Sequence, residues 1–242
     1  MLSEFFQSIL QLLFPPGPYC YFCGSSLKSW EVYWCSRCKK EISNNNGLQC
    51  RKCARFITGG EMCSFCQKDN YPFTVARSAG LYDGKLKEAL QEFKFRGKRS
   101  LAKPLGRLLA LEAIKDERFL EADLIIPVPM HRVKLAQRGY NQSELLAKEV
   151  AVKLGISFEK DVLVKIRHTA DMVGLGREER SKNLQGAFFV QDHNIVLQKS
   201  ILLIDDIFTT GFTALSCSET LLKAGAKKVL VLTAASNFDI YS

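Results

Sequence analysis

Eight of the chain's nine cysteines come in four Cys-x-x-Cys pairs: Cys20–Cys23, Cys35–Cys38, Cys50–Cys53 and Cys63–Cys66, with 11, 11 and 9 residues between successive pairs. A two-residue spacer lets both thiolates of a knuckle face one ion. Two knuckles then complete a tetrahedral shell of four sulfurs, the coordination that suits zinc. Eight ligands imply two structural Zn2+ sites, closed to solvent ligands and therefore concerned with folding rather than catalysis. Sequential pairing gives one ribbon over 20–38 and another over 50–66, although spacing alone also permits interleaved pairing. The same spacing accommodates an iron–sulfur cluster. Four disulfides would need an export signal, and none is visible. Arg37, Lys39, Lys40, Arg51, Lys52 and Arg55 flank the knuckles, either as contacts to nucleic-acid phosphates or as a solvated rim.

The opening MLSEFFQSILQLLFPP lacks a basic start and a small-residue cleavage site. Leu2, Phe5, Phe6, Ile9, Leu10 and Leu13 fall on one helical face, so residues 1–16 are expected to form an amphipathic helix stopped by Pro15 and Pro16. It docks on the protein or, in a second reading, lies on a membrane surface. No stretch approaches the roughly 20 apolar residues of a membrane span. A cytoplasmic protein is expected. The net charge of +9 admits a polyanionic partner without requiring one.

Residues 200–235 carry the clearest chemistry. Ile201–Ile204 is a continuous apolar run, as in a buried parallel strand, Thr213–Ala224 has helical character, and VLVLTAA from Val229 is a second buried strand. Strand, loop, helix and strand in that order define a parallel α/β sheet, whose ligands bind beyond the carboxyl ends of the strands. There stand Asp205 and Asp206, followed by Thr209, Thr210, Gly211 and Thr213. A turn into a helix aims backbone N–H groups at one point, where the helix dipole favours an anion. Gly211 permits close approach, the threonines add donors, and the two carboxylates can accept from ribose hydroxyls. No GxxxxGK[ST] loop is present, and Glu179 replaces the third glycine after Gly174 and Gly176, which excludes a P-loop and a Rossmann fingerprint.

Upstream, the strand Leu124–Val128 leads to a cationic turn with His131, Arg132, Lys134 and Arg138, suited to a diphosphate or simply solvated. A helix follows, with Ser143 as its expected cap. Residues 85–103 interleave Phe93 and Phe95 with Lys85, Lys87, Lys94, Arg96, Lys98, Arg99 and Lys103. Such a pattern suits a single-stranded nucleic acid, with Lys94, Phe95, Arg96, Lys98 and Arg99 as candidates, or a core face beside solvated cations. Cys217, alone in a helix, is expected in the core.

ILLIDDIFTTGFTA resembles the phosphoribosyl pyrophosphate (PRPP) motif of type I phosphoribosyltransferases. That resemblance implies that Asp205 and Asp206 hold the ribose hydroxyls of PRPP, that Thr209, Thr210, Gly211 and Thr213 cradle its 5′-phosphate, and that Mg2+ accompanies it. With the Pro-spaced turn and RGYNQ, with Lys94-Phe95-Arg96-Gly97, and with RHTADMVGLGREERSKNLQGAF, the chain resembles the ComF family of phosphoribosyltransferase-like competence proteins. The last segment would be a mobile hood loop bearing Arg167, Arg180 and Asn183. Met172 departs from the family's usual Gln there. The resemblance implies an amphipathic helix over 1–16, a double zinc ribbon over 17–70 and a phosphoribosyltransferase-type domain over 71–242. It also implies Arg132 and Arg138 at the PRPP site, and a competence factor handling single-stranded DNA beside other cytosolic competence or recombination proteins. Two further functions stay open: an active transferase moving phosphoribosyl to an acceptor, and a regulator that senses PRPP.

Overall fold

The computed structural model describes residues 19–29, 31–44, 48–68, 71–167 and 186–238; the expected helix over 1–16 and the segment 168–185, with Arg180 and Asn183, lie outside them. Short elements frame the knuckles. Helix α1 (Ser36–Asn44) begins inside the second, the antiparallel pair β1 (Leu48–Gln49) and β2 (Phe56–Ile57) brackets the third, and α2 (Ser64–Lys68) contains the last cysteine of the fourth.

Then follow β3 (Val75–Ser78), α3 (Gly84–Phe95), α4 (Ala102–Ala113), β4 (Leu124–Pro127), α5 (Arg132–Arg138), α6 (Gln142–Leu154) and β5 (Ser157–Phe158). β6 (Leu163–Lys165), β7 (Phe188–Val190), α7 (His193–Val196), β8 (Ser200–Phe208), α8 (Phe212–Lys223) and β9 (Lys228–Ser236) complete the order. Five strands form one sheet in the order β3-β9-β8-β4-β5, every neighbouring pair parallel. β6 and β7 make a separate antiparallel pair.

The continuous apolar runs have a direct cause: β8 and β9 are buried on both faces. On one face, Leu203 and Val231 join Cys217 and Leu221 of α8, Val190, and all four cysteines of the second ribbon. On the other, Leu202, Ile204 and Leu230 meet Leu90 of α3, Leu105 of α4 and Leu146 of α6. Gly106 brings α4 against α6, since a Cβ there would lie 2.3 Å from the Glu149 Cβ. The expected architecture, a parallel sheet flanked by helices behind a small Cys-rich head, is the one observed.

Three details differ from expectation. The cationic turn is helix α5, started by the His131 side chain accepting from the Val133 N–H at 3.4 Å and ended by Gly139 at φ 78°. The cap of α6 is Asn141, not Ser143: its Oδ1 accepts from the Ser143 N–H at 3.1 Å, while its Nδ2 donates to the Val128 carbonyl at 3.0 Å. And β8 continues through both aspartates to Phe208, because β9 pairs with it as far as Ser236. Among the described residues no helix is long and apolar enough to cross a membrane.

Candidate functional site

Strand order reverses between β4 and β8. The chain leaves β4 through α6 toward β5, and leaves β8 through α8 toward β9; α6 and α8 pack on opposite faces. Loops that depart in opposite directions leave a crevice at the carboxyl ends of the two strands, the place where open α/β sheets bind ligands.

Asp205 and Asp206 stand in that crevice. Strand alternation sends them to different faces. The Asp205 Oδ1 accepts from the Ser143 hydroxyl at 2.9 Å and from the Asp206 N–H at 2.8 Å. Burial, and then the charge of Asp206, push the Asp205 carboxyl up to about 7. Asp206 follows Leu202 and Ile204 onto the α3 face, where the Lys94 Nζ lies 3.1 Å from its Oδ2. Its Oδ1 accepts from the Ile207 N–H at 2.8 Å. The Asp206 charge raises the Lys94 pKa, so the ammonium is held charged.

One turn on, Gly211 takes φ 82° and stands at the N-cap of α8, where it has no side chain to cap the helix. A Cβ at Gly211 would lie 2.6 Å from the Phe208 ring and 3.1 Å from the Tyr71 hydroxyl, so glycine is required by space as well as by torsion. Thr209 is exposed and Thr210 and Thr213 half-buried. The Thr210 carbonyl turns inward and accepts from Tyr71 and Arg55.

The expected cations divide. The Arg138 guanidinium is half-buried and 5.5 Å from the Phe95 ring, on the Lys94 side of the crevice. Arg132 is exposed on α5, and Arg167 lies just before the undescribed segment. Lys98 pairs with Glu92 at 2.7 Å, and Arg99 donates to the Gly139 carbonyl at 2.8 Å while covering the Tyr140 ring at 4.8 Å. Arg96 is exposed, and its guanidinium lies 4.0 Å from Glu92. Phe93 is core, whereas Phe95 is 70% exposed. Cys217 is fully buried, which raises its pKa well above the usual thiol value.

Sequence reasoning missed Ser143 as a partner of Asp205, because it looked like an ordinary cap. It also placed Lys94 with nucleic acid rather than beside Asp206. No local signal links residues so far apart.

The cysteines form two sequential groups, Cys20, Cys23, Cys35 and Cys38, and Cys50, Cys53, Cys63 and Cys66, their sulfurs all within 4.8 Å of one another in each group. The Cys23–Cys35 and Cys53–Cys63 Sγ separations are 3.7 and 3.6 Å. A tetrahedral zinc with Zn–S bonds of about 2.3 Å needs sulfurs roughly 3.8 Å apart, whereas a disulfide needs about 2.05 Å. The Cys38 N–H donates to the Cys35 Sγ at 3.5 Å and the Cys66 N–H to the Cys63 Sγ at 3.4 Å, hydrogen bonds that favour thiolates. Both groups fit structural zinc.

Head and sheet together define a zinc-ribbon α/β protein with its crevice at the strand-order reversal. The double zinc ribbon domain family matches residues 9–67. Competence protein F of Haemophilus influenzae is 29% identical over 217 residues, 88% of this chain and 94% of that protein. Competence protein ComFC of Bacillus subtilis is 28% identical, covering 92% of this chain and 87% of that protein, and DNA utilization protein YhgH of Escherichia coli is 28% identical, covering 91% and 97%. The chain is similar to these competence and DNA utilization proteins over most of its length. Among solved structures, a glutamine PRPP amidotransferase from B. subtilis overlays 56% of this chain and 26% of that chain at 24% identity with a TM-score of 0.39. A purine phosphoribosyltransferase from Pyrococcus horikoshii overlays 55% and 70% at 17% identity with a TM-score of 0.34.

Proposed function

We propose that this chain is a cytoplasmic competence factor whose phosphoribosyltransferase-type domain, residues 71–242, binds PRPP with Mg2+ in the crevice between β4 and β8. The observation that carries the reading is the pair Asp205–Asp206 in the last half of β8, one turn before the N-terminus of α8, where Gly211 stands as a cap without a side chain. Carboxylates accept from the ribose hydroxyls. The first amides of α8, with Thr209 and Thr213, donate to the 5′-phosphate. Arg138 and Lys94 supply cationic donors for the diphosphate, whose bound Mg2+ offsets its remaining charge. Lys94 already neutralises Asp206 at 3.1 Å, and its ammonium can pass to an arriving phosphate as a ribose hydroxyl takes its place. Thiolates held by metal suit a reducing compartment. The names of the relatives support the competence role.

Handling of single-stranded DNA rests on a separate observation. Phe95, exposed beside Lys94, Arg96 and Arg138, offers a ring on which a base can stack.

Calorimetry with PRPP and Mg2+ tests the reading. Wild type should bind, and Asp205→Asn with Asp206→Asn should not, with two zinc ions per chain in both. Absence of binding by the zinc-replete wild-type chain overturns it. Competition by single-stranded DNA, or its absence, then decides whether the two ligands share the Phe95 face.

A further inference from the structure

In the sequence Arg55 stands beside a knuckle, open to a phosphate contact or to a place in a solvated rim. It is instead 2% exposed, and it lies between the second four-cysteine group and the loop that precedes α8. Its Nη1 donates to the Cys53 Sγ at 3.5 Å and the Cys63 Sγ at 3.8 Å. Its Nη2 donates to the Thr210 carbonyl at 2.7 Å. Both nitrogens reach the Tyr71 hydroxyl at 3.4 Å, and that hydroxyl donates to the same Thr210 carbonyl at 2.9 Å. The guanidinium is stacked 4.1 Å from the Phe65 ring centre and lies 5.5 Å from that of Phe208, the residue that opens the loop. Tyr71 stacks on Phe73 at 4.9 Å, so its hydroxyl is aimed by packing.

A buried guanidinium needs counter-charge. The Tyr71 phenol and the Thr210 carbonyl are neutral, and among its described partners only the two sulfurs can be anionic. Arg55 thus joins the sulfurs of the second group to the Thr210 carbonyl and holds that carbonyl inward. With that carbonyl fixed inward, the peptide plane joining Thr210 to Gly211 is set, and with it the direction of the Gly211 N–H immediately ahead of α8.

We infer that Arg55 and Tyr71 are positioning residues through which the metal site at Cys50, Cys53, Cys63 and Cys66 presets the loop at 209–211 to receive a phosphate, a linkage that the Cys20–Cys38 site does not share among the described residues. For its ligand the inference rests on the sugar-phosphate reading of that loop.

Arg55→Lys keeps the charge and removes the fork, and Tyr71→Phe keeps the ring and removes the hydroxyl. Both are read in the full zinc-replete chain by zinc content, by amide hydrogen exchange over 209–213 without ligand, and by calorimetry with PRPP and Mg2+. For Tyr71→Phe, zinc content should stay at two, exchange at Gly211 and Phe212 should quicken, and affinity should fall about fivefold, as expected for one lost hydrogen bond. Arg55→Lys should lose more. Wild-type exchange in Tyr71→Phe overturns the linkage, whether or not Arg55→Lys folds. If wild type binds no PRPP, the ligand assignment fails, and the exchange comparison still decides the linkage.

Discussion

The two four-cysteine groups use the same knuckle and live in different surroundings. Cys20, Cys23, Cys35 and Cys38 pack with Trp34, Phe22, Leu27 and Tyr33 in a small cluster of their own, touching the body through Leu108. Further ties are Ile42 of α1, buried in the same cluster as Leu90 and Leu105, Tyr21 packed against that cluster, the Arg107 guanidinium 5.9 Å from the Tyr33 ring, and a hydrogen bond of 3.2 Å from the Lys85 N–H to the Glu41 carboxylate. Cys50, Cys53, Cys63 and Cys66 belong to the same cluster as Leu203 and Val231 of the central strands. Around them the ribbon is fastened at many points: the Ala76 N–H donates to the Lys52 carbonyl at 2.9 Å, Lys52 Nζ to the Phe73 carbonyl at 2.5 Å, and the Ser236 hydroxyl to the Ala54 carbonyl. Equal ligand spacing thus places one set of cysteines in a satellite cluster at the edge of the core and the other set within the main core. Ligand spacing fixes the coordination chemistry; the residues between the knuckles fix the role.

The widest gap between the two sites should come from removing one ligand from each. Structural zinc binding in small ribbons contributes about 10–16 kcal/mol, comparable with the whole stability of a domain, about 5–15 kcal/mol. Cys53→Ser should therefore destroy cooperative unfolding of the chain. Cys23→Ser should leave one zinc per chain and a sheet whose melting temperature falls by less than about 5 °C. Zinc content and a thermal melt followed by circular dichroism check both. Equal losses would show that the two ribbons are equally built into the core.

A smaller effect is expected from glycine. Gly24 and Gly211 both take positive φ, 73° and 82°, but nothing lies within 4 Å of a Cβ at Gly24, while Phe208 and Tyr71 crowd one at Gly211. Gly24→Ala should cost on the order of 1 kcal/mol. Gly211→Ala should cost on the order of 3 kcal/mol, adding displaced aromatic packing to the torsional strain. Urea melts of the two variants measure the difference.

Smallest is a pH effect at Asp205 in the crevice. In the folded chain the Asp205 carboxyl is pushed from 3.8 up to about 7, so its charged form is disfavoured there. The resulting destabilisation is absent below about pH 3.8, grows as pH rises, and is complete above about pH 7. Asp205→Asn should then raise the melting temperature at pH 8, by a degree or two, gain less at pH 5, and lose nearly all of that advantage near pH 3.8. A pH series of thermal melts checks it; an unchanged gap between pH 5 and 8 would contradict the burial cause.

How much of this could be read in advance depends on range. The knuckles, the apolar runs of β8 and β9 and the TTG turn are local patterns, and each lies where its pattern put it, although β8 runs on through both aspartates to Phe208. The helix at Arg132–Arg138 was hidden because prolines and cations suggest a turn, while the His131 and Gly139 ends that make it a helix are single residues. The Lys94–Asp206 pair and the Arg55–Thr210 bond join distant positions, and a cation gives no hint of its burial from its neighbours alone. Arg55 sits beside Cys53 like any rim residue; only the packing of Phe65 and Phe208 over it makes it interior.

The pairing of the second ribbon with the end of the sheet bears on how the chain is made. Ser236 reaches Ala54 across 182 positions, and Phe56 bridges to Phe238 beside it. A ribosome delivers the knuckles early and their covering strand late. During synthesis the second ribbon must wait, its apolar flank uncovered, until β9 emerges, so this part of the molecule closes last although it is written first.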